Sequence, residues 1–148
     1  MIPLAVPVEV PSWPTCQIVY HTHGVTKQDR KAIKKATRKI SKVTGITFVK
    51  GSGGIEIKYH RYSEPLVLGM GGYLATPTTI VDGWVHLSTA WKYKLSKKDK
   101  QSLFMHEVAH SLGANHVNSP GKVMSPILTG KTSWSHIDKK ELRKVACK

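Results

Sequence analysis

Residues 106 to 116 read His106-Glu107-Val108-Ala109-His110-Ser111-Leu112-Gly113-Ala114-Asn115-His116. On a helix, His106 and His110 lie one turn apart on the same face, so both imidazoles can reach one metal ion. Gly113 can adopt the left-handed conformation that ends a helix, and the turn it makes brings His116 back to the same ion. Three protein ligands leave the fourth position of a tetrahedral zinc open to water, which is typical of a catalytic site.

Glu107 follows the first of these histidines and is placed to take a proton from that water. The first two histidines with Glu107 could occur by chance on an ordinary amphipathic helix, where they would be surface or core residues. A glycine and a third histidine at fixed offsets make that interpretation remote. The stretch therefore predicts one catalytic zinc, with Glu107 as the general base.

The length and composition of the chain are those of one domain with one core, because it has 148 residues and 40% of them are hydrophobic. We expect a proline-rich extended arm over 1–15 and a single catalytic domain over 16–148; the prolines of the arm are Pro3, Pro7, Pro11 and Pro14. No apolar run is long enough to span a membrane, and the first residues lack the basic start and apolar run of a signal peptide.

Two cysteines, Cys16 and Cys147, lie near opposite ends of the chain and do not have the spacing of metal ligands. A disulfide between them would close a loop of about 130 residues. In the loop-entropy model it would stabilise the fold by about 4 to 5 kcal/mol, and it would imply an oxidising compartment. Two unrelated buried thiols are an equally good interpretation.

The net charge of +14 results from 23 Lys and Arg against 9 Asp and Glu. Much of the excess lies in residues 26–43, where a narrow apolar stripe at helical spacing predicts a helix with a charged outer face; the stripe consists of Ile33, Ala36, Ile40 and Val43. A solvated face explains these charges better than a nucleic-acid surface, because no aromatic residues interleave with them.

Strand and helix signals are distributed along the rest of the chain. Strands are predicted at 17–22, 46–50, 55–60, 69–76 and 83–88, and the glycines of 69–76 indicate an irregular edge strand. Strand-helix-strand order at the start predicts a parallel sheet. Capping boxes at Ser96 to Asp99 and Ser135 to Asp138 begin the zinc helix and the last helix. The predicted core residues of these helices are Leu103, Phe104, Val108, Leu112, Leu142 and Val145.

The chain resembles the metzincin metallopeptidases, because Lys122-Val123-Met124-Ser125-Pro126 follows the third histidine where that family has a methionine-bearing turn. It is most similar to the matrixin-like, collagenase-type catalytic domain over most of residues 13–146. Gly71-Gly72-Tyr73-Leu74-Ala75 looks like the edge strand of that family, and Val85-His86-Leu87 through Trp91 looks like its His-Phe and Trp stretch.

The resemblance implies an α+β, zincin-like fold: a twisted mixed sheet of about five strands, one of them an antiparallel edge strand, packed on three helices with the zinc helix central. It assigns Met124 a place beneath the zinc-binding imidazoles and Pro126 a place in the wall of a substrate pocket. It also implies that substrate pairs with the edge strand at Gly72, Tyr73, Leu74 and Ala75.

This chain departs from the family pattern at the other metal sites. Of the four ligands that hold the family's structural zinc, only His86 has a counterpart, and Ala75-Thr76 stands where the family has Ala-His. Ser88-Thr89-Ala90 replaces the acidic run that supplies calcium ligands. We therefore expect one catalytic Zn²⁺, with no structural zinc and no calcium.

The resemblance implies a zinc-dependent endopeptidase that cleaves extended protein substrates through a zinc-activated water and Glu107. Alternatives are a DNA-associated, polyanion-dependent zinc protease, favoured by the net charge, and an inactive zinc-binding domain, which the intact Glu107 argues against. We expect protein or peptide substrates, acidic ones among them, a monomer, and neither membrane nor nucleic acid as a partner. Extracellular location or release from the producing cell is expected.

Overall fold

In the computed structural model, which describes residues 10–147, strands and helices follow one another in the order that the sequence predicts. The elements are β1 (Gln17–His23), α1 (Lys27–Thr44), β2 (Thr47–Lys50), β3 (Ile55–His60), β4 (Gly69–Ala75), β5 (Ile80–Ser88), α2 (Lys97–Ser111) and α3 (His136–Arg143), with a short 3₁₀ turn at Thr89–Trp91. The largest difference from the predicted boundaries is the start of β5 at Ile80, because residues 80–82 continue its pairing with β4.

The five strands form one sheet in the order β2-β1-β3-β5-β4. All neighbours are parallel except β4, which runs antiparallel to β5 at the edge and has a register irregularity between Leu74 and Ala75. The predicted mixed sheet with one antiparallel edge strand on three helices is thereby confirmed. Although only a short turn separates β2 from β3, these two strands lie on opposite sides of β1.

Side-chain caps begin all three helices. Thr26 and Asp29 form a reciprocal capping box at α1, and Ser135 and Asp138 form one at α3. At α2 the Ser96 side chain accepts a hydrogen bond from the backbone N–H of Asp99, 3.1 Å away. The capping box predicted there is only half formed, because the reciprocal bond from the Ser96 backbone to Asp99 is missing, and the Asp99 carboxylate lies close to Gly130.

The core lies between the sheet and the helices, and α2 runs through it. Each core residue predicted for the zinc helix and the last helix is buried, including Leu112 and Val145, which follow the ends of α2 and α3; the others are Leu103, Phe104, Val108 and Leu142. In α1, Ile33, Ala36 and Ile40 are buried and Val43 packs against the same core. A buried ion pair joins α2 to α1, because Lys100 Nζ lies 2.6 Å from Asp29 Oδ1.

Both ends of the described chain are fastened to the domain. A disulfide joins Cys16 to Cys147, with Cα atoms 5.3 Å apart. Ser12 bridges to Thr79, and the Trp13 indole donates to the Ser111 carbonyl at 2.9 Å. Of the predicted arm, 1–9 lies outside the described residues, so its division from a domain over 16–148 stays a prediction. Within residues 10–147, no helix combines the length and apolar character that a membrane span needs.

Candidate metal centre

The end of α2 and the turn after it bring three imidazoles together. His106 and His110 project from one face of the helix, and Gly113, with φ of 103°, turns the chain so that His116 returns to them. The Nε2 atom of His106 lies 3.0 Å from Nε2 of His110 and 3.2 Å from Nε2 of His116. Ligand atoms of a tetrahedral zinc lie roughly 3.3 Å apart, so the three nitrogens have the spacing of a zinc site.

Backbone carbonyls fix which ring nitrogens carry hydrogen. The carbonyl of Val123 lies 2.6 Å from Nδ1 of His106, and that of Ala114 lies 2.8 Å from Nδ1 of His110. Because a carbonyl can only accept, each Nδ1 must be the donor, and burial lowers the pKa of both rings, that of His106 to about 4. Two neutral rings then direct Nε2 lone pairs at each other, an arrangement that a bound cation would stabilise.

Glu107 is buried beside these rings, with Oε1 at 3.7 Å from Nε2 of His106. Burial raises the pKa of its carboxyl to about 7, although a hydrogen bond from the backbone of Gly71 acts in the opposite direction. A side chain at Gly71 would overlap the Glu107 carbonyl, so the edge strand reaches α2 only because a glycine stands here. Gly71 is not among the site residues predicted from the sequence, although a glycine within a strand is a signal of close backbone approach.

The predicted methionine turn is tied to α3. Met124 is fully buried, and its backbone N–H donates to Asp138 Oδ1 at 2.9 Å. Asp138 Oδ2 accepts from the N–H of Val123 at 3.2 Å, and the carbonyl of Val123 is the one that holds His106. The turn therefore connects the last helix to the first histidine.

An apolar cleft of about 780 Å³ opens beside His106 and Glu107. Pro126 contributes to its wall, and the other lining residues are mainly apolar, among them Leu68, Leu95, Leu103 and Leu128. Gly72, Tyr73, Leu74 and Ala75 lie along the edge strand, half-buried or exposed. Gly69 and Met70, at the start of the same strand, are the strand residues that line this cleft, and neither is among the substrate-binding residues predicted from the sequence.

Comparisons with known proteins agree with this geometry. A family model described as Matrixin matches residues 12–146. The chain is also 31% identical, over 147 residues, to the interstitial collagenase of Sus scrofa, and the alignment covers 86% of this chain and 31% of the collagenase. The chain thus spans about a third of the length of that relative. These matches confirm the resemblance inferred from the sequence, and the chain belongs to the matrixin family.

Proposed function

We propose that this chain is a zinc-dependent endopeptidase that hydrolyses peptide bonds of extended protein substrates. The observation that carries the proposal is the convergence of three imidazole Nε2 atoms, 3.0 and 3.2 Å apart, beside a buried carboxylate. His106, His110 and His116 would hold the zinc. When bound, zinc supplies Lewis acidity, which polarises a carbonyl and lowers the pKa of a water molecule toward neutrality.

Glu107 would move the protons. A carboxyl group whose pKa is raised by burial to about 7 can both accept and release a proton near neutral pH. It would take the proton of the attacking water and return it to the leaving amine. The hydrogen bond from Gly71 fixes the carboxylate between the edge strand and the histidines.

The substrate would lie extended along β4, which is the edge of the sheet. Main-chain groups of Gly72, Tyr73, Leu74 and Ala75 would pair with it, as strands added to a sheet edge do. One substrate side chain would enter the apolar cleft, whose wall includes Pro126. We expect that side chain to be large and apolar, because burial of apolar surface would then stabilise the complex.

Neither calcium nor the family's structural zinc is expected. Thr76 and Ser88-Thr89-Ala90 lack the ligands that those metals use in the family, and His86 is engaged with Glu56, its Nε2 lying 3.1 Å from Oε1. Met124 would support the histidines without binding metal.

The proposed enzyme acts on protein or peptide substrates as a monomer outside the producing cell. The disulfide between Cys16 and Cys147 supports an oxidising compartment. No feature of the site favours the DNA-associated alternative.

The test is cleavage of quenched fluorescent peptides that carry a large apolar residue after the scissile bond. Activity should disappear with a zinc chelator and return with added Zn²⁺. Glu107→Gln should bind zinc but lose activity, whereas Glu64→Gln, at an exposed carboxylate, should retain it. Chelator-resistant cleavage, or an active Glu107→Gln protein, would contradict the proposal.

A further inference from the structure

We propose a second Zn²⁺ site, held by His21, His23 and Glu56 on the face of the sheet that points away from the helices. Ile18 and Tyr20 of β1 point into the core, so the alternate residues His21 and His23 lie close to the opposite face. His21 is paired directly with Glu56 of β3. One ligand atom from each of the three side chains lies within 4.8 Å of the other two.

His21 is oriented as the histidines of the catalytic site are. Its Nδ1 lies 2.7 Å from the carbonyl of Gly53, in the turn between β2 and β3. The carbonyl requires Nδ1 to be the donor, which in a neutral ring leaves Nε2 as an acceptor. Metal-binding histidines are commonly held by such a hydrogen bond.

Glu56 presents one oxygen to this ring and uses the other elsewhere. Oε1 lies 3.1 Å from Nε2 of His86 and 3.3 Å from Nζ of Lys58. Oε2 lies 3.8 Å from Nε2 of His21, too far for a hydrogen bond. With His21 neutral, a lone pair and a carboxylate oxygen face each other across this gap, and a cation between them would satisfy both.

His23 completes the set from the same strand. Its ring stands edge-on to that of His21, with centroids 5.1 Å apart, and it is exposed. Ligand atoms of a tetrahedral zinc are roughly 3.3 Å apart and these lie within 4.8 Å of one another, so they must approach by at most about 1.5 Å when the ion binds. Rotation of an exposed side chain can supply this movement. Two imidazoles and one carboxylate are a ligand set that zinc accepts.

This site differs from the catalytic centre and from the family's structural zinc in every ligand. His86 acts in it as a hydrogen-bond donor to Glu56 and not as a ligand. The ion would join β1 to β3 beside the turn that contains Gly53. It would raise the zinc content to two ions, against the one expected from the sequence.

The experiment is metal analysis of the purified chain after equilibration with buffered micromolar free Zn²⁺. The wild-type protein should hold two equivalents. His23→Ala and Glu56→Gln should each hold one and keep peptidase activity, and His136→Ala, at an exposed histidine of α3, should hold two. His116→Ala should lose peptidase activity and the zinc ion held with His106 and His110, but keep the ion at His21, His23 and Glu56. This result distinguishes the two sites.

A second measurement is the midpoint of thermal unfolding. Adding Zn²⁺ beyond one equivalent should increase this midpoint in the wild-type protein and leave it unchanged in His23→Ala. One equivalent in the wild type would mean that His21, His23 and Glu56 do not bind zinc. That outcome, or two equivalents in both variants, would overturn the proposal.

Discussion

Asp138→Asn should destabilise both the fold and the zinc site, because one buried carboxylate of α3 organises the turn that holds the first histidine. Asp138 is fully buried. Its Oδ2 accepts from the backbone of Val123 at 3.2 Å and of Ser135 at 2.9 Å, and Oδ1 accepts from Met124 at 2.9 Å.

Asparagine replaces one of these oxygens by an NH₂ group, which would face a backbone donor. Hydrogen bonds to a charged acceptor contribute about 1.5 to 3 kcal/mol each, and an unsatisfied buried donor adds a penalty. We therefore expect the free energy of unfolding to fall by about 3 to 5 kcal/mol. Because the carbonyl of Val123 orients His106 at 2.6 Å, zinc affinity should also fall, by about 10- to 100-fold.

Urea unfolding measures the first effect, and competition with a chromophoric zinc chelator measures the second. Asp99→Asn is the matched control, because Asp99 occupies the equivalent position in α2 and its capping contact is made by the backbone N–H, which the substitution keeps. That variant should lose less than about 1 kcal/mol and retain its zinc affinity. Equal effects of the two substitutions would refute the reasoning.

Four further results are expected. Glu107→Gln should lower turnover by about 10² to 10⁴ with zinc retained, and more than a tenth of wild-type turnover would indicate another base. Replacing Cys16 and Cys147 with serine should lower the free energy of unfolding by about 4 to 5 kcal/mol, as measured in urea; no change would mean that the bridge does not form. Burial by itself would raise the pKa of Asp29, but hydrogen bonds, first that from Lys100, outweigh it and lower the pKa below its ordinary 3.8. The ionised Asp29 carboxylate therefore stabilises the fold above pH 3.8, and this stabilisation is lost as pH falls through the lowered pKa. The free energy of unfolding should consequently fall less steeply in acid for Asp29→Asn than for wild type. Cleavage of acidic proteins should decline more with ionic strength than cleavage of neutral peptides, and DNA should not stimulate either; stimulation of several-fold would favour the DNA-associated alternative.

The cluster of His106, His110 and His116 could be predicted from the sequence because these residues are close together in the chain. One helical turn relates His106 to His110, and one glycine-dependent turn returns His116, so spacing alone determines their proximity. The positions of the strands and helices could also be predicted, because apolar periodicity and capping residues are local features of the sequence. The resemblance supplied the antiparallel edge strand, which periodicity does not specify.

Contacts that depend on sheet register could not be predicted in this way. His21 meets Glu56 only because β1 and β3 are parallel neighbours in one particular alignment. Lys100 follows a run of exposed lysines and looks like another, yet it is buried against Asp29, which is 71 residues away. Such pairs are set by the packing of whole elements, and one sequence does not contain that information locally.

Several carboxylates of this basic chain lie close to histidine clusters or to the buried Lys100. A net charge of +14 would repel a divalent ion at long range, so local negative charge has to compensate near any metal site. Asp138 and Glu141 act electrostatically on the rings of His106 and His110, and Glu107 lies beside them. Five of the nine acidic residues interact with a histidine or with the buried Lys100: Asp29, Glu56, Glu107, Asp138 and Glu141. The excess positive charge therefore reflects a surface with few acids as much as one with many lysines, and it can arise without a polyanionic partner.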